Sequence, residues 1–183
     1  MTAKIYLSFD DANDSARANR VRRYLLGQGY EVSRFHQCSN WERSRGQRPD
    51  YVFGGELESE LKTCQAVLVL IGGDTAANRW VRHAIGVAHD MRLPMMGLYV
   101  DQLPDERGNS CERDINPFDR FAFLDGGRKV RLSERCRTLD WQAACDSDGL
   151  DTWLQETVEQ QLGHSRRSLI ALSTTQSFAV TLQ

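Results

Sequence analysis

The run Ala66-Val67-Leu68-Val69-Leu70-Ile71 is apolar at every position. A strand with one wet face alternates polar and apolar residues, so this run predicts a strand covered on both faces. Such a strand belongs in the middle of a parallel sheet, and parallel neighbours must be joined by crossover helices. The chain supplies them. Gly72-Gly73-Asp74-Thr75 marks a turn at the carboxyl end of the run. A helix is expected from about Asn78 to Met91, with Trp80, Val81, Ala84, Ile85, Ala88 and Met91 on one stripe. Pro94 to Val100 then reads as a second apolar strand, ending in Asp101.

The same unit precedes the central run. Lys4 to Phe9 reads as a strand that ends in the polar Ser8-Phe9-Asp10-Asp11. Asp14 is expected to cap the next helix, in which Ala18, Val21, Tyr24 and Leu25 repeat at helical spacing, with Arg17, Arg20 and Arg23 mostly on other faces. Gly27 and Gly29 end it. Tyr30 to Phe35 is a short strand, His36 to Pro49 a polar loop holding Trp41-Glu42, and Tyr51 to Thr63 a second helix weakened by Gly54-Gly55. Strands alternating with helices predict an α/β fold of the flavodoxin-like kind: a central parallel sheet with helices on both faces. Ligands of such sheets sit beyond the carboxyl ends of the strands, here Ser8 to Asp11, Gly72 to Asp74 and Asp101. Past Asn116-Pro117-Phe118-Asp119, a turn signal, Phe121 to Leu132 reads as a hairpin around Asp125-Gly126-Gly127. Leu150, Trp153, Leu154, Val158 and Leu162 give a final amphipathic helix, and Ser168 to Gln183 shows no strong pattern. The organisation expected is a domain over 1–127 with an extension over 128–183 packed on it.

A net charge of -2 argues against broad binding to nucleic acid or an anionic membrane. The apolar runs are too short to span a bilayer, and the N-terminus lacks the regions of a signal peptide. A cytoplasmic protein is expected. Its five cysteines are widely spaced without metal-ligand spacing, so free thiols and no metal site are expected.

Five pieces occur in order: Tyr6-Leu7-Ser8-Phe9, Asn40-Trp41-Glu42, Val67-Leu68-Val69-Leu70-Ile71-Gly72, Asn78-Arg79-Trp80-Val81-Arg82, and Asn116-Pro117-Phe118-Asp119. No single piece is specific, but the ordered set resembles the TIR-like proteins of bacterial Thoeris anti-phage systems. The resemblance implies a TIR fold and cleavage of the nicotinamide–ribose bond of NAD, which is substrate; neither a further cofactor nor a metal is needed. It implies an ADP-ribose-derived messenger that activates an effector protein, and assembly as a homo-oligomer or filament. It also assigns positions. Many such enzymes carry Trp, three residues, then a catalytic Glu; here Trp80 is followed by Ala84 in that place. Ser8, Phe9 and Asp10 fall on the first loop, where the family contacts nucleotide. Trp41 falls in a loop that helps form site and assembly interface. Asp101 and Asn109, after the fourth strand, are candidates for ribose contacts.

By spacing alone, Trp80 and Ala84 read as helix packing, Phe9 as a strand-end packing residue, and Asp10 and Asp11 as residues that cap and solvate the loop. Alanine can neither accept a proton nor carry charge, so the resemblance implies a disabled enzyme. It is either a deliberate Glu-to-Ala change that traps NAD or a natural inactive relative; the otherwise intact pattern favours the first. The alternative is a non-catalytic TIR scaffold acting by self-assembly or partner binding. A plain nucleotide-binding domain is disfavoured, because neither GxGxxG nor GxxxxGK[ST] occurs.

Overall fold

The computed structural model describes residues 2–33, 50–147, 149–157 and 159. Its centre is a five-stranded sheet of β1 (Lys4–Ser8), β2 (Glu31–Val32), β3 (Ala66–Ile71), β4 (Met95–Tyr99) and, counting the hairpin strands β5 (Ala122–Asp125) and β6 (Arg128–Arg131), β7 (Thr138–Asp140). The order is β2-β1-β3-β4-β7 and every pairing is parallel. This is the flavodoxin-like arrangement expected. Connections run outward in opposite directions from β1 and β3, so the topological switch point lies between those strands.

All six residues of β3 are buried, and they divide by parity. Ala66, Leu68 and Leu70 enter a core with Val21 and Leu25 of α1 (Asp11–Gly27). Val67, Val69 and Ile71 enter a second core with Leu57 and Leu61 of α2 (Asp50–Leu61) and Val81, Ala84, Ile85 and Ala88 of α3 (Arg79–Asp90). A strand with cores on both faces can afford no polar side chain, which explains the unbroken run.

The carboxyl-terminal part contributes to both cores. Val130 is buried and Leu132 joins the α2–α3 core, with Phe121 and Phe123 packed against it. The hairpin turns through Gly126 (φ 57°) and Gly127 (φ 84°), the two positive-φ positions of a tight turn that suits the strand twist. Ala144 of α4 (Trp141–Asp146) and Leu150 and Leu154 of α5 (149–157) join the α1 core.

Three details differ from expectation. Asp10, not Asp14, caps α1: its carboxylate accepts from Ala12 N, and the helix already begins at Asp11. Asp14 instead turns inward to Arg17, which is buried, while Arg20 and Arg23 are exposed as their spacing implies. The fifth strand, β7, has too short a sequence to show a period. Pro117 to Arg120 forms a 3-10 turn capped by Asn116, in keeping with the turn signal there.

Candidate functional site

Of the helices that begin at the carboxyl end of the sheet, α1 and α3 are laced together by one hydrogen-bonded chain. Asp10 Oδ1 accepts from Ala12 N at 3.2 Å and from Asn78 Nδ2 at 3.1 Å, while Oδ2 accepts from Asn13 Nδ2 at 2.8 Å. Asn78 Oδ1 in turn accepts from Trp80 N at 2.9 Å and Val81 N at 3.2 Å. One asparagine thus caps α3 with its carbonyl oxygen and holds the first loop with its amide. Ser8, the last residue of β1, is buried, and Phe9 is half-buried against the α1 core.

Trp80 follows at the start of α3. Its indole is half-buried, with the Arg79 guanidinium 4.7 Å from the ring centroid and the His83 ring edge-on at 6.1 Å. Ala84 lies one turn further and is 1% exposed, inside the apolar cluster with Leu57, Leu61 and Phe118. The geometry therefore brings Asp10, Asn78 and Trp80 together. It turns the methyl group of Ala84 toward the core.

The switch point itself is filled by the chain. Asp14, fully buried, pairs with Arg17 at 2.8 Å, and Thr75 Oγ1 stands 3.5 Å from its other oxygen. A Cβ on Gly72 would overlap this carboxylate, so only glycine fits there. Burial pushes the Asp14 carboxyl above its ordinary value, and the Arg17 guanidinium opposes the rise. The segment after β4 folds back over β3: Asp114 N donates to Gly72 O, and Asp114 Oδ2 accepts from Ala76 N at 2.6 Å.

Asp101 and Asn109 both belong to that returning segment. Asp101 is 2% exposed. Its Oδ2 accepts from Gln102 Nε2 at 2.8 Å, and Arg113 Nη2 stands 3.2 Å from Oδ1, off the hydrogen-bond direction. Burial alone would raise this carboxyl, but Gln102 and Arg113 outweigh it and hold it below the ordinary carboxylate value. Arg113 also pairs with Asp140 and lies over the Tyr99 ring, 4.2 Å from its centroid. The exposed Asn109 enters through its backbone, whose carbonyl accepts from Arg17. Trp41 lies outside the described residues.

Sequence reasoning overlooked Asn78, Arg17 and Arg113. Asn78 carried a signal, an Asn directly before an apolar-periodic helix. The loop contacts of Arg17 and the pairs of Arg113 carried none, because those partners lie 86 and 92 residues from Arg17 and 12 and 27 residues from Arg113. Of the carboxylates at this end of the sheet, Asp10, Asp14, Asp101 and Asp114 are each engaged by a cap, a cation or a backbone N–H. Among the described residues no group of three or more His, Cys, Asp or Glu could hold a metal ion, and no helix is long and apolar enough to cross a membrane.

Comparison with known proteins bears on what this site descends from. Residues 6–105 match the family described as Thoeris protein ThsB, TIR-like domain. A Bacillus cereus (strain MSX-D12) protein, provisionally named cyclic ADP-D-ribose synthase ThsB1, is 25% identical over 139 residues, 73% of this chain and 71% of that one. Similar solved structures include the TIR domains of the activated Roq1 resistosome recognising the effector XopQ (12% identity, TM-score 0.39). That match covers 54% of this chain and 57% of that chain, so this chain spans little more than half of it. Another is a conserved protein from Enterococcus faecalis V583, 16% identical, covering 88% of this chain and 99% of that one with a TM-score of 0.46. The family match runs from β1 through β4, across more than half of the sequence and the whole Asp10–Asn78–Trp80 constellation, and the chain belongs to the TIR-like domain family of Thoeris ThsB proteins.

Proposed function

We propose that this chain is an NAD-binding immune-signalling protein of a bacterial anti-phage system, with Ala84 standing where the active form carries its catalytic glutamate. The observation that carries this reading is the family match over residues 6–105, which runs through α3 and includes both Trp80 and Ala84. The name of the Bacillus cereus relative supports NAD as the starting material, since cyclic ADP-D-ribose is NAD without its nicotinamide. In the active form, departure of the cationic nicotinamide leaves positive charge on the ribose. A carboxylate beside that ribose stabilises the oxocarbenium-like state and holds its hydroxyls, as in glycoside hydrolysis. Trp80 offers an aromatic surface to the nucleotide, and Ser8, Phe9, Asp10, Trp41, Asp101 and Asn109 complete the binding set. The product is an ADP-ribose-derived messenger for a separate effector. The work takes place in the cytoplasm, with self-assembly of the chain, and without a metal or a further cofactor.

The methyl group at position 84 supplies no charge, so NAD binds without being cleaved. The loss of a major electrostatic stabiliser costs about 10²–10³ in rate. The test compares nicotinamide release by this chain and by Ala84→Glu, each with and without lysate of phage-infected cells. Release by the Glu form alone supports the reading. A second reading, a TIR scaffold acting by assembly, draws on the burial of Ala84 among apolar side chains. It is the better account if neither protein releases nicotinamide while both stay folded.

A further inference from the structure

Arg17 makes four hydrogen bonds from a site 3% exposed, and two of them reach far along the chain. Nη1 donates to Asn13 O at 3.1 Å and to Asp14 Oδ1 at 2.8 Å. Nε donates to Leu103 O at 2.8 Å and Nη2 to Asn109 O at 3.1 Å. The ion pair with Asp14 needs only one arm of the guanidinium; the rest of the fork holds two carbonyls of the loop that follows β4. The loop's other ties are mostly local: Leu103 N donates to Val100 O, Asp105 N to the same Asn109 O and Gly108 N to Asp105 O, and the Leu103 side chain packs on the α1 core. Asp101 O accepts from Cys111 N at its base, and at its tip Asp105 Oδ1 accepts from Arg107 N and Asn109 N, both at 2.8 Å.

We infer that Arg17 is the positioning residue of the loop 101–111, fixing Leu103 and Asn109 at the carboxyl end of the sheet beside Asp101. The inference rests on the proposed reading for the identity of the ligand, NAD, but not for the clamp itself. Charge alone does not explain the residue. A lysine could pair with Asp14, but one ammonium cannot also span two carbonyls that the planar fork reaches from separate nitrogens. Opening the loop displaces Asn109, a candidate ribose contact, from its place beside Asp101, and small misplacements of binding groups are costly.

The test uses the full chain and three variants, Arg17→Met, Arg17→Lys and Asp105→Ala. The first readout is native-state tryptic cleavage after the exposed Arg107, relative to cleavage after Arg128 and Lys129 in the hairpin. The second is the Kd for NAD by calorimetry. Arg17→Met removes the fork. Asp105→Ala loosens the turn that presents the Asn109 carbonyl, from a half-buried surface position, and keeps the test alive if Arg17→Met does not fold. Cleavage at Arg107 is expected to rise about tenfold over the hairpin sites in both, and to stay raised in Arg17→Lys. The Kd for NAD is expected to weaken about tenfold in step. Cleavage that rises equally at the hairpin overturns the inference, since it reports global loosening. An opened loop with unchanged NAD affinity also overturns it. If even the unaltered chain fails to bind NAD, the proposed ligand falls, and the cleavage ratio alone decides whether Arg17 holds the loop.

Discussion

At position 84 a methyl group sits 1% exposed among Leu57, Leu61, Val81, Ile85 and Phe118. A glutamate placed there exchanges apolar contact for a carboxyl group that must leave water. Burying a polar group without full compensation costs roughly 1–3 kcal/mol, and an ionised one costs more. Ala84→Glu is therefore expected to melt several degrees below this chain. Burial raises the folded-state pKa of such a carboxyl above its unfolded value, so the deficit is smaller at low pH and larger at high pH. Melting curves at pH 6 and pH 8 check the sign: the gap between the two proteins should widen at pH 8. A constant gap would mean that the new carboxylate has found polar partners. Gly72 sets the opposite limit. A Cβ there overlaps the carboxylate of Asp14, and that carboxylate cannot retreat because Arg17 holds it inside the fold. Gly72→Ala is expected to destabilise by roughly 1–3 kcal/mol, read as a lower denaturant midpoint with unchanged slope.

Among the elements, β7 depends on one missing side chain. On Gly97 a Cβ would lie 2.7 Å from Thr138 Oγ1, 2.9 Å from Thr138 Cγ2 and 3.2 Å from Ile71 Cδ1. β4 and β7 can approach because that Cβ is absent, and Gly97 N donates to Arg137 O at 2.9 Å. Valine favours strands in general, yet Gly97→Val is expected to unseat β7, whose three residues cannot absorb the displacement. Amide protection at 138–140 should drop while that of β1 and β3 holds; uniform protection across the sheet would refute the dependence. The same element shows where sequence reading stops. β3 and β4 were legible because a strand buried on both faces must be apolar throughout. Thr138-Leu139-Asp140 shows no such pattern, since an edge strand this short is specified by the glycine opposite it. The cap of α1 failed for a related reason. Asp10, Asp11, Asn13 and Asp14 can all cap a helix, and the choice falls to Asp10 because Asn78, 68 residues away, uses the same carboxylate. Asp14 was free for Arg17. The folding unit was therefore readable from local pattern. The residues at strand and helix ends, Ser8, Asp10 and Trp80, could be placed at the carboxyl end of the sheet from local pattern, whereas the loop contacts of Arg17 and the pairs of Arg113 could not, because those partners are distant in sequence.

Over the whole molecule, the ionisable groups predict an asymmetric response to pH. On the acid side the terms conflict. Asp101 and Glu60 are held below their ordinary values, so the stability they give is lost as pH falls through their folded pKa values. Asp14 is raised and has the opposite sign. On the alkaline side the terms agree. Burial pushes the Cys64 and Cys136 thiols up from 9.0 to about 11, and Cys111 and Cys145 are raised for the same reason. The folded state then keeps protons that the unfolded state releases near pH 9. Stability from these thiols is complete below that pH and is lost as pH rises toward 11. Tyr24, Tyr30, Tyr99 and Lys4 are also raised and act in the same direction, but their unfolded values are 10.0 and 10.5. The interval between pH 9 and 10 therefore belongs chiefly to the thiols. The denaturant midpoint should fall steadily across that interval, and the fall should be shallower in a Cys64→Ala, Cys136→Ala double variant, even though the smaller side chains lower its stability at neutral pH. Equal slopes in the two proteins would mean that the buried thiols do not govern the alkaline limb. Titration with a thiol reagent gives an independent check of the same cause: Cys64 and Cys136 should react far more slowly than the half-buried Cys111 and Cys145 until the fold is opened.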